Sequence, residues 1–472
     1  MSGCGSPRRR RPPAAAPTGS PPPARSPPSI PAIRSRTLPS PGSRICSAVP
    51  TAPKPRWRPR SPAIPPASPR CARWPISPSA AIASRISPRW SAGWRPRGAA
   101  DADIVLLRAR LACRRGDHAA ALAAARSAPA SYDAGGRAQI VGECSDRLGD
   151  PAAAFAAFAE MNRVTAAEVA DAPRAAAGYR AMVERRTAAV TPAWHAGWSP
   201  APVEDGRDDP VFLFGFPRSG TTLLDTFLMG HPGTLVLEER PALAAACEGL
   251  DDPGALPRLD AARVAAARAR YFAEVDAFAP DAAKRLVIDK LPLGMVYAAT
   301  VHRLFPAARF IFAERHPCDV VLSCFMTRFD PRGGMASFLD LGDAARLYDA
   351  ALGHWRRCRE VLPLAVHAVR YERMVADAPR ELAPLAGFLG LTLGAEMLDH
   401  QRTARARAHI ATPSYAQVAE PLYTRALARW ERYRPQMAAV LPLLAPWAEH
   451  MGYFCGERLL STTNVPEFAP ER

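Results

Sequence analysis

The sequence predicts an α/β fold, a parallel sheet flanked by helices, preceded by a short all-helical array. Three observations carry this. From Val211 onward, four short apolar runs each lead into charged residues and then a turn or helix. The first, Val211–Phe216, runs directly into the glycine-containing turn Pro217-Arg218-Ser219-Gly220-Thr221-Thr222 and an apolar helical segment. Between residues 101 and 190, alanine-rich helical patterns repeat a Gly-Asp pair, Gly116-Asp117 and Gly149-Asp150, 33 residues apart.

Residues 1–100 differ from everything that follows. They hold 17 Arg, one Lys and no Asp or Glu and so contribute +18, while the other 372 residues stand at −1, which together make the net charge of +17. They also contain 24 of the 51 prolines. Such a stretch buries too little apolar surface to offset its ordering entropy, and a disordered tail is expected. One reading is a basic arm for nucleic acid or anionic lipid. The preferred reading is GC-rich DNA translated from a start placed too far upstream, and no nucleic-acid partner is assigned.

Residues 101–190 follow as helices. The 33-residue spacing is close to the ~34-residue period of tetratricopeptide helix pairs. The glycine is read as a small residue where paired helices cross closely, followed by a turn. Two repeats rarely stand alone, so they are expected to lean on a helix around Ala175–Ala188 and on the next domain. Arrays of this kind present a face to another chain, which points to a protein or peptide partner. Residues 191–210, rich in Pro, Trp and acid, read as a linker, 211–455 as the α/β domain and 456–472 as a C-terminal tail.

Composition excludes some classes. No window reaches the ~18 consecutive apolar residues of a membrane span. Ten cysteines are scattered without a C-x-x-C pair, which argues against a disulfide framework or a zinc site and for a cytoplasmic, reducing location.

The turn at 217–222 carries the first chemistry. A buried strand, a glycine turn and a helix N-terminus together bind anions through backbone N–H groups and the helix dipole. Against the triphosphate pattern G-x-x-x-x-G-K-[ST], Gly215 and Gly220 match, but Thr221 stands at the lysine position and the charge has moved to Arg218. A guanidinium with Ser219, Thr221 and Thr222 suits an anion less charged than a triphosphate, with no metal.

Three further strands place polar groups at their carboxyl ends, where open α/β sheets bind ligands. Thr234–Glu239 ends in Glu238-Glu239, Leu286–Lys290 in Asp289-Lys290, and Arg309–Arg315 leads through His316-Pro317 into a helix holding Ser323. Val287-Ile288-Asp289 also permits a Walker-B reading. His231 and His316 precede prolines and read as capping residues rather than reactive ones.

With these residues in place, the chain resembles sulfotransferases that use 3′-phosphoadenylyl sulfate. Phe214–Leu224 looks like their 5′-phosphosulfate loop, and Arg315 with Ser323 like their 3′-phosphate motif. The order of motifs is similar to that of bacterial tetratricopeptide-repeat sulfotransferases and tyrosylprotein sulfotransferases. It includes Asp289-Lys290-Leu291-Pro292, Val369-Arg370-Tyr371-Glu372, Ser414–Val418, Pro421-Leu422-Tyr423 and Arg429-Trp430. The resemblance covers about residues 105–450 and implies a P-loop-type α/β fold.

It also implies roles. Arg218, Ser219, Gly220, Thr221 and Thr222 would hold the 5′-phosphosulfate of the donor, and Lys290 would meet charge developing on the bridging oxygen. Glu239 would be the general base, with Glu238 the alternative because the usual Gly-Glu-Leu is Glu238-Glu239-Arg240 here. Arg315 and Ser323 would read the 3′-phosphate, with Ser414 and Arg429 as further nucleotide contacts. Gly294 stands where asparagine is common. The acceptor would be a hydroxyl of a protein tyrosine, a glycan or a small molecule, and the loop Phe325–Leu339 with Arg328 and Arg332 would shape its entrance. A P-loop kinase or NTPase and a non-catalytic repeat scaffold are the competing readings.

Overall fold

The structure, a computed structural model, describes residues 101–129, 132–169, 171–199, 201–407 and 421–453. The segment 1–100, the end of the chain from 454 and Ser414 lie outside the described residues.

Five strands form one sheet: β1 (Val211–Gly215), β2 (Thr234–Glu238), β3 (Leu286–Lys290), β4 (Arg309–Glu314) and β5 (Ala365–Arg370). The order is β2-β3-β1-β4-β5 and every pairing is parallel. This is the expected α/β architecture. β1 lies at the centre and is buried along its whole length, as a strand covered on both faces must be. Its alternation shows the two faces. Phe212 and Phe214 join Phe310 and Phe312 in one core, while Val211 and Leu213 join Ile311 and Ala313 in the other. Parallel pairing brings all the carboxyl ends to one edge. The register sets Leu213 and Glu238 on either side of Lys290. The segment quoted as Val369–Glu372 is divided: β5 ends at Arg370 and a helix begins at Tyr371.

Residues 101–190 form five helices: α1 (Asp101–Arg114), α2 (His118–Ser127), α3 (Ala134–Arg147), α4 (Pro151–Ala167) and α5 (Ala172–Ala189). The repeated Gly-Asp pair closes α1 and α3 and opens α2 and α4, but not by close helix crossing. A Cβ on Gly116 or Gly149 would meet nothing within 4 Å. What requires glycine is backbone: φ is +80° and +84° at these two positions. The following aspartates, Asp117 and Asp150, then cap the next helix by accepting from the amides of Ala120 and Ala153. Close approach occurs elsewhere, at Gly142, where a Cβ would lie 2.8 Å from the Phe158 ring.

The helical layer does lean on the α/β domain. The buried Asn162 amide of α4 donates to the carbonyl of Phe325 at 2.9 Å, and Asp146 of α3 accepts from the hydroxyl of Tyr433 at 2.6 Å. The segment read as a linker is also anchored. Arg268, almost fully buried, pairs with Asp205 at 2.7 Å and with Asp209. No helix among the described residues is long and apolar enough to cross a membrane.

Candidate active site

The turn after β1 is built around two backbone constraints. Gly220, with φ +97°, precedes helix α6 (Thr221–Met229) and leaves no room for a side chain, since a Cβ would lie 2.6 Å from the Tyr371 ring. Arg218 holds φ +70°, a left-handed conformation that costs a non-glycine residue on the order of 1 kcal/mol or more. The helix has no side-chain cap. The amides of Gly220, Thr221 and Thr222 also have no backbone acceptor among the described residues, as the first amides of a helix commonly do not. The hydroxyl of Ser219 is buried without a partner among them.

Arg315 follows β4 and closes the same turn from the other side. Its Nη1 donates to the carbonyl of Arg218 at 2.9 Å, its Nη2 to that of Ala426 at 2.7 Å, and its guanidinium lies 4.7 Å from the Tyr371 ring centre. Its Nε is buried and has no partner among the described residues. Ser323, two turns into helix α7 (Pro317–Phe325), accepts from the Nε of Arg218 at 3.2 Å. Burial, reinforced by the neighbouring Arg315, lowers the basicity of Arg218. Two cations held this close are costly in an apolar setting unless an anion joins them.

The second half of the site lies at the ends of β2 and β3. Lys290 is fully buried, with its Nζ 2.8 Å from Glu239, 3.4 Å from Glu238 and 3.4 Å from Asp225. Burial pulls its pKa down, but these three carboxylates outweigh it and hold the ammonium form above the ordinary lysine range. Asp225, on α6, is pushed up to about 6 by burial, against the pull of Lys290 and Arg407. The two candidate bases are not equivalent. Glu238 also pairs with Arg407 and is mostly enclosed, whereas Glu239 is 32% exposed and Lys290 is its one ion-pair partner among the described residues. Glu239, the residue after β2, holds φ +50°, a left-handed conformation uncommon for a non-glycine residue.

Asp289 does not take a Walker-B position. Strand alternation sends it into the opposite core, where it accepts from the hydroxyl of Tyr271 at 3.1 Å. Burial pushes its carboxyl up to about 7, offset in part by Tyr271 and Lys290. A folded-state pKa raised above the unfolded value means that the native state holds the proton more tightly. This group's contribution to stability is therefore largest below the unfolded pKa and is lost as pH rises towards 7. Asp289→Asn removes that loss. The melting temperature of the variant relative to wild type is expected to be higher at pH 8 than at pH 5, and an equal difference at both would contradict the assignment.

The histidines support turns. His231 accepts from the amide of Gly233 at 3.0 Å, and His316 caps α7 by accepting from the amide of Cys318 at 3.2 Å. Burial, then Arg315, lowers His316 to about 4, so it is neutral at physiological pH. At Gly294 a Cβ would meet the Phe214 ring at 2.4 Å, so asparagine does not fit there. Arg429 is joined to the helical layer. It pairs with Asp146 of the helical layer at 3.0 Å, beside Arg432 at the same distance from that carboxylate, and among the described residues it makes no contact with Arg218, Arg315 or Ser323. Arg328 likewise reaches Asp133 of the helical layer at 3.2 Å.

Three contributors were not singled out from the sequence. Asp225 was detectable, as an acid alone among Leu223, Leu224, Phe227 and Leu228. Tyr371 was quoted within a motif but given no role, and Arg407 carries no local signal, because only the fold brings them beside Arg315 and Glu238.

Residues 210–395 match the Sulfotransferase family. Among curated proteins, the chain is 25% identical over 251 residues to an uncharacterized protein of Aquifex aeolicus, covering 50% of this chain and 32% of that one. It is 26% identical to protein-tyrosine sulfotransferase 2 of Gallus gallus, covering 50% of this chain and 68% of that one. It is 30% identical to the nodulation protein NoeE of Sinorhizobium fredii, covering 38% of this chain and 49% of that one. The chain thus spans from about a third to about two thirds of the length of these relatives.

Proposed function

We propose that this chain, in which residues 210–395 form a sulfotransferase-family domain, moves a sulfuryl group from 3′-phosphoadenylyl sulfate to an acceptor hydroxyl. The observation that carries this reading is a set of neighbouring donors without an acceptor among the described residues: the Ser219 hydroxyl, the Nε of Arg315 and the first amides of α6. Buried donors without acceptors are rare, and a donor molecule that carries two anionic groups, one at the turn and one at Arg315, satisfies them together.

The reaction divides among the residues by position. Arg218, Ser219, Gly220, Thr221 and Thr222 hold the 5′-phosphosulfate. Arg315 and Ser323 take the 3′-phosphate, which separates this donor from ordinary adenine nucleotides. Ser414 and Arg429 are assigned to the nucleotide by motif alone. Glu239 accepts the proton of the acceptor hydroxyl while the oxygen forms its bond to sulfur. The bond from sulfur to the phosphate oxygen breaks, and the electron pair stays on the phosphate, where Lys290 meets the developing charge. Positioning and electrostatics suffice for such in-line transfer, and no catalytic metal is invoked.

The kinase reading fares worse, since Thr221 replaces the lysine that serves triphosphates and Asp289 is turned into the core. The tetratricopeptide reading of residues 101–190 rests on the paired helices and the matched Gly-Asp turns, and these helices reach the loop Phe325–Leu339 through Asn162 and Arg328. Such contact suits an acceptor peptide lying between the two layers. A glycan or small phenol offers the same nucleophile, and transfer from labelled donor to fractionated acceptors separates the classes. A cytoplasmic location suits the absence of a disulfide among the described cysteines.

Arg315→Ala tests the donor site. Affinity for adenosine 3′,5′-bisphosphate is expected to fall by roughly 30-fold or more, as for one partner lost from a buried charge pair. Circular dichroism should be unchanged. Wild-type affinity in this variant would remove Arg315 from the site.

A further inference from the structure

Outside the active site, one cluster of side chains has no role in the chemistry above. Cys113 stands in the last turn of α1, His118 is the first residue of α2, and Cys144 lies on α3. Their ligand atoms lie within 4.8 Å of one another, and the two sulfurs are 3.1 Å apart. Cys144 is fully buried, and the Nδ1 of His118 is buried with no hydrogen-bond partner among the described residues. We propose that Cys113, His118 and Cys144 form a zinc-class metal site that staples the first three helices of the chain.

Thiolate and imidazole are the ligand set that Zn²⁺ prefers, and three protein ligands leave a fourth position for water. Two sulfurs bound at 2.3 Å in tetrahedral geometry stand ~3.7 Å apart. Small rotations of the two cysteines reach that spacing from 3.1 Å. On binding, both thiols release their protons to solvent, and His118 coordinates as the neutral imidazole through Nδ1. A disulfide would use the sulfurs but leave the buried Nδ1 unexplained.

The surroundings supply a reason for a staple. The core shared by α1, α2 and α3 is Leu106, Ile140, Cys144 and four alanines. Alanine contributes little buried area, and small cores of this kind are commonly reinforced by a metal. Sequence spacing could not show the site, because its ligands come from three helices and no C-x-x-C pair marks it.

The test uses the full chain, stripped with a chelator under reducing conditions and titrated with Zn²⁺ against a chromophoric competitor. One ion per chain is expected to bind at this site. Cys113→Ser with Cys144→Ser should abolish it, and His118→Ala should weaken it by roughly 100-fold, at or beyond the ~10–100-fold that loss of a supporting group costs. Retained adenosine 3′,5′-bisphosphate binding and circular dichroism identify variants that fold. Should a variant fail to fold, Co²⁺ added to the wild-type chain must show sulfur-to-metal charge transfer for a site with two thiolates. Absence of that band, unaltered Zn²⁺ stoichiometry in the double variant, or a Cys113–Cys144 disulfide that Zn²⁺ does not prevent would each overturn the site. The sulfotransfer reading stands or falls separately, since none of these residues belongs to it.

Discussion

Glu239→Gln lowers sulfuryl transfer by about 10²–10⁴-fold, the contribution of a positioned general base, while the affinity for adenosine 3′,5′-bisphosphate stays near wild type. The split follows from geometry. Glu239 meets the site through Lys290 at 2.8 Å and is partly exposed. It makes no contact with Arg218, Arg315 or Ser323 among the described residues. Glutamine keeps the shape and one hydrogen bond to Lys290 but cannot take a proton. Glu238→Gln is the control. Its carboxylate is occupied by Arg407 and Lys290, so the loss of rate should be smaller and a loss of stability should appear. If Glu238→Gln proved the more damaging for transfer at equal stability, the base assignment would pass to Glu238. Single-turnover rates and melting temperatures, measured side by side, decide it.

Lys290→Ala should damage both reaction and fold. Removal of a charge donor from the leaving oxygen costs about 10²–10³-fold in rate. Loss of the ammonium also leaves Asp225 and Glu238 enclosed, with Arg407 as their remaining cation in that cluster. Breaking a buried pair in this way costs about 3–5 kcal/mol, or on the order of 10 °C in melting temperature. The pH dependence of the loss distinguishes this cause from a simple cavity. Asp225 is already pushed up to about 6 by burial with Lys290 present. Without it, the folded carboxyl holds its proton more tightly still, so stability is present at low pH and lost as pH rises through the folded pKa. The melting-temperature deficit of Lys290→Ala should therefore be greater at pH 8 than at pH 5. A deficit independent of pH would mean that packing, not charge, accounts for it.

The parts of this molecule that were legible in the sequence are those set by local pattern. Continuous apolar runs at 211–216, 286–288 and 310–313 announce strands covered on both faces, and the structure pairs all of them in parallel. The turn 217–222 was legible because its glycine, its arginine and the helix start are adjacent along the chain. The capping role of His316 followed from the proline after it, whereas His231 serves the turn by accepting from Gly233 and caps no helix. What was not legible depends on residues that the fold brings together. Arg407 reaches Asp225 and Glu238 from far along the chain, and Arg429 is claimed by Asp146, 283 residues away in sequence. The purpose of Gly116 and Gly149 was also misjudged. A glycine at a helix end can serve close packing or positive φ, and only the backbone tells which.

Calorimetric titration of the full chain with adenosine 3′,5′-bisphosphate, and separately with ATP–Mg²⁺, tests the account at its centre. Arg315, Ser323 and the amide-lined turn predict tight binding of the bisphosphate without added metal and weak binding of ATP–Mg²⁺. Preference for ATP–Mg²⁺, or binding of the bisphosphate that depends on a divalent ion, would contradict the assignment of a sulfuryl-donor site.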